Sequence, residues 1–316
     1  DSMGTGASFL SLLRLWHEKS VNLRTQNRAI APERLQVYAL DLHPWSLDSL
    51  KAYWTRADLS NTPGLTCEAL QHLLDHWPEP TPGLHCIQFK PWACILWLWF
   101  GDVELGVKQL RGKRDGSFVQ TPPSAKASAR VAVIGAGIAG SCTAKALCEQ
   151  GFDVHLFDAA HAPAAGASGN WVGAFHPHIT RDDTPLSQLT RLGCEFSLQA
   201  LESLTRQGLL VKGLDWDTPG HLQTIPPEEV ERTRGTLAQL QFPDRVVQWT
   251  EPFTRLETPL HGLFFPQGAW VKPGRWVEAN LQSCGPRLKV HFGSPIHGLE
   301  ELSALLGHNV DVVVVA

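Results

Sequence analysis

The sequence predicts an α/β protein with two Rossmann-like regions in series, the second followed by an α+β subdomain. Three observations carry this reading. Residues 130–158 read RVAVIGAGIAGSCTAKALCEQGFDVHLFD: a short buried strand, a G-x-G-x-x-G turn, an apolar-periodic helix and a second strand closed by an acid. Residues 1–41 show a looser version of the same order, with a glycine turn, a helical stretch and a strand ending in Asp41. Residues 208–273 change to short β-like runs separated by Gly and Pro, the composition of a sheet in a substrate-covering subdomain.

In the first region, Gly4 and Gly6 precede a predicted helix over residues 9–16. A glycine turn opening a helix suggests a nucleotide-like ligand, because the helix N-terminus offers free N–H groups to an anion. Residues 35–40 form the next predicted strand, with Asp41 at its carboxyl end. Residues 95–100 form another, closed by Gly101 and Asp102, where Asp102 is either a group near an adenine or a turn residue. In S-adenosylmethionine-dependent methyltransferases an acid precedes G-x-G and a second acid ends the following strand. Gly4, Gly6, Asp41 and Asp102 are therefore the candidate S-adenosylmethionine set. Residues 112–129 are rich in Lys, Arg, Ser and Pro and lack apolar periodicity, so they read as a linker. The predicted domains are residues 1–111, the linker 112–129, and residues 130–316.

In the second region, Gly135 permits the tight turn after the strand, Gly137 the approach of backbone N–H groups to a pyrophosphate, and Gly140 close helix–sheet packing. Ile138 and Ala139 lie in the first turn of the helix, which Gly151 stops. Asp158 follows about 20 residues on, where a carboxylate accepts from ribose hydroxyls and disfavours a 2′-phosphate. The fingerprint serves FAD and NAD alike. Ala167, Ser168, Gly169 and Asn170 lie in a run of small residues that permits close backbone approach to a cofactor, or that forms a plain surface loop. Residues 186–204 read as a long helix. His176 and His178 flank Pro177; on a strand they share one face and are candidate general bases. Arg181 and Arg275 are candidates for a substrate carboxylate, or ordinary exposed arginines.

The 316 residues suffice for two cores, with 43% hydrophobic residues. A net charge of −4 gives no sign of a strongly basic surface. Seven cysteines without a C-x-x-C argue against a zinc site or a disulfide scaffold, and Cys142 and Cys148 read as packing residues inside the predicted helix. The 12 tryptophans read as core rather than as a base-stacking platform. No signal peptide is visible, and residues 92–100 are too short to span a bilayer, so a soluble, cytoplasmic monomer is expected. The absence of an initiator methionine and the stop after the apolar run 310–315 suggest a fragment of something longer.

Several phrases resemble the bifunctional bacterial tRNA 5-methylaminomethyl-2-thiouridine biosynthesis family. They are Gly4-Thr-Gly6 with Phe9, Leu10 and Trp16; Leu98-Trp-Phe-Gly-Asp102; Gly166-Ala-Ser-Gly-Asn170 with Gly173, Ala174 and Pro177; and Leu263-Phe-Phe-Pro-Gln-Gly-Ala-Trp270 with Pro273. The resemblance implies an S-adenosylmethionine-dependent methyltransferase joined to an FAD-dependent oxidoreductase of the D-amino-acid oxidase type, with tRNA as substrate. It implies that the flavin half removes the carboxymethyl group from 5-carboxymethylaminomethyl-(2-thio)uridine at the wobble position and that the other half methylates the exposed amine. It also tips the cofactor choice to FAD, held by Gly135, Gly137, Ile138, Ala139, Gly140, Asp158, Ala167, Ser168, Gly169 and Asn170. In the family a strand ending in D-G-F-A-P follows the phrase matching residues 98–102; here its only echo is Asp115-Gly-Ser-Phe118. The methyltransferase region is thus expected to be incomplete, and the oxidoreductase region to lack its C-terminal part. The other readings are a stand-alone amino-acid or amine oxidase of the glycine oxidase type, and a catalytically inactive fragment.

Overall fold

The structure is a computed structural model and describes residues 3–25, 35–57, 64–111, 130–250, 261–307 and 310–316. Asp1, the linker 112–129 and the Asp115–Phe118 echo lie outside the described residues. The first stretch contains α1 (Ala7–Thr25), β1 (Leu35–Asp41), α2 (Leu47–Arg56), α3 (Gly64–Asp75), β2 (Gly83–Phe89), β3 (Cys94–Phe100) and α4 (Val103–Arg111). Then come β4 (Arg130–Ile134), α5 (Ile138–Glu149), β5 (Asp153–Phe157), β6 (Gly173–Phe175), α6 (Pro185–Arg206), β7 (Trp216–Asp217) and β8 (His221–Ile225). The remainder holds α7 (Val230–Leu240), β9 (Gln248–Thr250), β10 (His261–Phe265), β11 (Ala269–Val271), α8 (Pro273–Ser283), β12 (Leu288–His291), α9 (Leu299–Leu306) and β13 (Val312–Val315).

These elements form two compact units drawn from non-adjacent stretches. One comprises Asp1–Gln120, His176–Ser197 and Gly220–Gln267; the other comprises Thr121–Phe175, Leu198–Pro219 and Gly268–Ala316.

In the first unit, β1 and β3 pair in parallel and β2 joins β3 antiparallel, giving the order β1-β3-β2. Leu96, Leu98 and Phe100 of β3 are buried in one core with Phe9, Leu10 and Leu13 of α1, Leu50 of α2 and Leu70 and Leu73 of α3. Three strands, one of them reversed, do not make a doubly wound sheet. A second sheet, β8-β10-β9, is antiparallel throughout and buries Ile225, Leu263 and Phe265. The β-only reading of residues 208–273 is corrected here, because α7 stands between β8 and β9. Its Val230 and Leu237, two turns apart on one helical face, pack on the Ile225–Phe265 cluster, while Gly235 meets nothing within 4 Å at its Cβ position. In α6, Arg191 is 4% exposed and grips the Asp183 carboxylate with both terminal nitrogens at 2.5 and 2.8 Å. Its Nη2 also donates to the Pro82 carbonyl at 2.9 Å.

In the second unit, β12-β5-β4-β13 is an all-parallel sheet, as the βαβ reading requires. Val131, Val133, Val154 and Leu156 on one face pack with Ala144 and Cys148 of α5 and Cys284 beside α8. Ala132 and Phe157 on the other face meet Leu302 of α9. A smaller antiparallel sheet, β6-β11-β7, packs Val271 and Trp216 with Leu201, Leu204 and Trp276. No helix among the described residues is long and apolar enough to cross a membrane.

Candidate dinucleotide site

The turn between β4 and α5 is built by its glycines. Gly135 has φ +110°, its N–H donates to the Phe157 carbonyl at 2.8 Å, and a Cβ there would stand 2.4 Å from the Ala316 carbonyl oxygen. A Cβ on Gly140 would lie 1.8 Å from the Gly135 carbonyl oxygen, so α5 leaves the turn at a distance that only glycine permits. Gly137 occupies the N-cap of α5, and a Cβ there would stand 2.9 Å from Ser168 Oγ.

Two side chains face the amides of this turn. Asp158, just beyond β5, accepts from the Ala136 N–H through Oδ2 at 2.6 Å and from the Ala160 N–H through Oδ1 at 2.8 Å. Ser168 Oγ accepts from the Ile138 N–H at 3.1 Å, in the first turn of α5. Ala139 is exposed in that turn. Ala167 to Gly169 form a single 3-10 turn, with Ala167, Gly169 and Asn170 exposed. The glycines, Asp158 and Ser168, separated in the sequence, thus meet at the α5 N-terminus, and the positive end of a helix suits a pyrophosphate. A strand-to-helix turn tight enough to demand glycine at 135, 137 and 140, with the Asp158 carboxylate against its amides, fits the dinucleotide half of FAD.

The sequence reading missed Ala164, which supports this loop. It is buried, holds a left-handed φ of +57°, and donates its N–H to the Ala136 carbonyl at 3.0 Å. A Cβ on Gly169 would stand 2.5 Å from the Ala164 carbonyl oxygen, so these two backbones lie against each other. No local signal marks an alanine for φ > 0.

The remaining candidates are arranged differently. β6 ends at Phe175, so His176 and His178 do not share a strand face; that expectation is corrected. The His176 ring stacks on His221 at 4.2 Å, and its Nδ1 faces the Pro177 carbonyl at 2.9 Å, whereas His178 is exposed and engages Thr190 only through its backbone N–H. A carbonyl only accepts, so Nδ1 carries the proton and Nε2 of His176 is the free lone pair when the ring is neutral. Burial, and secondarily the His176 charge, hold the His221 imidazole below its ordinary value. Arg275 is engaged by Glu278 at 2.6 Å and Asp215 at 3.4 Å; the Glu278 hydrogen bond is the main cause that raises its pKa. Arg181 reaches Gln239 Oε1 at 3.5 Å.

The S-adenosylmethionine candidates are engaged by contacts within the chain. Strand pairing brings Asp41 and Asp102 to the carboxyl edge of β1 and β3, where the Gly101 N–H donates to the Asp41 carbonyl at 2.9 Å. Yet the Asp41 side chain is buried and accepts from the His43 N–H at 3.1 Å, and Asp102 accepts from the Leu105 N–H at 2.7 Å, as an N-cap does. At the glycine turn, Gly4 and Gly6 take φ of +51° and +81°, but a Cβ on Gly6 would strike Leu73 Cδ2 at 2.8 Å, and Trp54 Nε1 donates to the Thr5 carbonyl at 2.9 Å.

A family model described as "FAD dependent oxidoreductase" (DAO) matches residues 130–316. The chain belongs to that family. Membership in the FAD dependent oxidoreductase family resolves the choice between FAD and NAD toward FAD. The chain is also similar to the tRNA 5-methylaminomethyl-2-thiouridine biosynthesis bifunctional protein MnmC of Cupriavidus metallidurans, at 25% identity over 383 residues, covering 95% of this chain and 54% of that protein. The MnmC protein of Aromatoleum aromaticum is 30% identical over 85% of this chain and 53% of its own length. Among solved structures, glycine oxidase from Geobacillus kaustophilus aligns with TM-score 0.48 and 17% identity, over 60% of this chain and 55% of that one. The chain spans about half the length of the curated relatives it matches. The first of these alignments runs over 383 positions against the 316 residues here, so that relative carries stretches inside the match that this chain lacks.

Proposed function

We propose that this chain carries the FAD-dependent step of tRNA wobble uridine modification, the oxidative removal of the carboxymethyl group from 5-carboxymethylaminomethyl-(2-thio)uridine. The meeting of Gly135, Gly137, Gly140, Asp158 and Ser168 at one helix N-terminus, inside the FAD dependent oxidoreductase match, supports this reading. The relatives' name, a tRNA 5-methylaminomethyl-2-thiouridine biosynthesis protein, suggests the substrate. The amides of Gly137 and Ala139 would take the pyrophosphate, joined by that of Ile138 once Ser168 Oγ turns away from it, with Asp158 on the ribose hydroxyls and Ala167 to Asn170 on the flank of the loop. When bound, FAD supplies the two-electron oxidation of a secondary amine, and water then divides the product into the aminomethyl base and glyoxylate. The residues named here orient the cofactor; none of them moves a proton in the reaction. Methyl transfer from S-adenosylmethionine, the second activity implied by the fuller relatives, is not assigned to this chain, because Leu73 and Trp54 occupy the glycine turn. The working protein is a cytoplasmic monomer in this reading.

The test is to load the purified chain with FAD, add tRNA bearing the carboxymethylaminomethyl group, and follow nucleosides by mass spectrometry. Conversion to the aminomethyl nucleoside with matching glyoxylate supports the proposal. Turnover of glycine or sarcosine with no action on tRNA would transfer the chain to the amine oxidases. Retained flavin with no turnover of either would leave a cofactor-binding module and overturn the enzymatic reading.

A further inference from the structure

The first half of α6 shares a unit with β2 and meets the start of that strand along one helical face. Gln188, Arg191 and Glu195 recur on that face at spacings of three and four residues. Gln188 lies against Gly83, where a Cβ would stand 3.3 Å from its Oε1, and Arg191 donates to the Pro82 carbonyl. Glu195 meets His85, a residue of β2 that is only 2% exposed. The His85 Nε2 is 2.8 Å from the Thr81 carbonyl oxygen, and its Nδ1 is 3.0 and 3.3 Å from the two Glu195 carboxylate oxygens. A carbonyl only accepts, so Nε2 carries a proton. An N–H aimed between two oxygens accounts for the second contact, whereas a protonated carboxyl would turn a single O–H to the ring; Nδ1 therefore carries a proton too. A ring protonated at both nitrogens is an imidazolium, and the Phe100 ring faces it at 4.7 Å.

We propose that His85 is a buried imidazolium that latches α6 onto β2, and that loss of its proton as pH rises opens the latch. On deprotonation the Nδ1 proton passes to solvent base, and the lone pair left behind faces a carboxylate oxygen 3.0 Å away. Neither group can donate, so the contact turns from attractive to repulsive inside a buried seam. The latched form holds one proton more than the open form, so the latch is complete on the acid side and is lost as pH rises. The other charged groups around the pair have partners of their own. Glu79, before β2, has a carboxyl that burial raises above its ordinary value; it pairs with Arg245 at 3.6 Å, and Arg245 also reaches Asp48 of α2 at 3.4 Å. On α6, Arg191 holds Asp183, and burial pushes the Cys194 thiol up to about 12, so it stays neutral. Because the guanidinium keeps its charge, α6 loosens at Glu195 while the Arg191 grip on Pro82 persists. The latch lies in the unit that does not hold the glycine fingerprint, so it stands or falls apart from the flavin reading.

The test isotopically labels the ring nitrogens of the 14 histidines in the 316-residue chain and follows their protonation by NMR, in the native chain and in Glu195→Gln. The variant's amide can donate to Nδ1 of a neutral ring while the Nε2–H still donates to the Thr81 carbonyl, which preserves the packing without the extra proton. At about pH 7 the native chain is expected to show a ring with both nitrogens protonated, and the variant the same ring with Nδ1 unprotonated. Amide exchange over residues 188–197, corrected for its intrinsic base catalysis, should rise by up to about 10-fold per pH unit in the native chain as the latch opens, and stay flat in the variant. Absence of any doubly protonated ring that responds to Glu195→Gln, or an equal pH slope of exchange in the two proteins, would overturn the latch.

Discussion

Gly140 and Asp158 hold the cradle for different physical reasons, and their substitutions separate them. A methyl at position 140 meets a backbone oxygen that cannot step aside, so Gly140→Ala is expected to cost more than about 2 kcal/mol and to lower the thermal midpoint. Asp158→Ala instead removes an acceptor from two N–H groups and, in the proposed function, from the ribose; FAD content after purification should then fall about 10-fold or more, read by flavin absorbance. Two histidines set an acid limit. Burial first, then His176, depresses His221; burial first, then Lys289, depresses His291, which also pairs with His155 at 2.9 Å. Folded values below the ordinary 6.5 mean that their contribution to stability is complete above that pH and is lost as pH falls through the folded values. Thermal midpoints measured from about pH 7.5 to about pH 5 should fall for the native chain and fall less for a His221→Asn, His291→Asn double variant. The glycines and Asp158 were legible in the sequence because a strand-to-helix turn imposes its chemistry locally. Ala164 and His221 were not, since a left-handed alanine and a ring stack arise from partners brought close only by folding.

Helix α6 shows the same division at the next scale. Its apolar period is plain in the sequence, but the burial of Arg191 against Asp183 and the Pro82 carbonyl is not, because charged residues read as surface. Arg191→Met would leave the partly buried Asp183 carboxylate without its guanidinium partner, at a φ of +42°. The expected loss is about 3–5 kcal/mol in urea unfolding, with partial recovery when Asp183→Asn removes the stranded charge. Helix α7 was hidden for the opposite reason: glycine and proline on either side suggested strands, while the Val230 and Leu237 face that folds it onto the Phe265 cluster is only two residues wide.

For the whole molecule, the two glycine turns make opposite predictions that one measurement reads. Saturating FAD should raise the thermal midpoint by the linkage between binding and folding, on the order of 3 kcal/mol at 100 times the dissociation constant. S-adenosylmethionine should leave it unchanged, because Leu73 and Trp54 already fill the turn at Gly6. A linear reading divides the chain at residues 112–129, whereas the two compact units are each assembled from three separate stretches. The punctuation says nothing, however, of which later stretches complete which unit.

That interleaving governs how the chain matures. The unit that starts at Asp1 takes its antiparallel sheet from residues within Gly220–Gln267, and the unit that contains the fingerprint takes its last strand from within Gly268–Ala316. During synthesis the segment that holds α1 therefore stays unfinished until residues 220–267 have emerged, with its apolar face awaiting partners. Such distant pairings slow the search for the native state, and chaperone demand should be concentrated in that interval of synthesis.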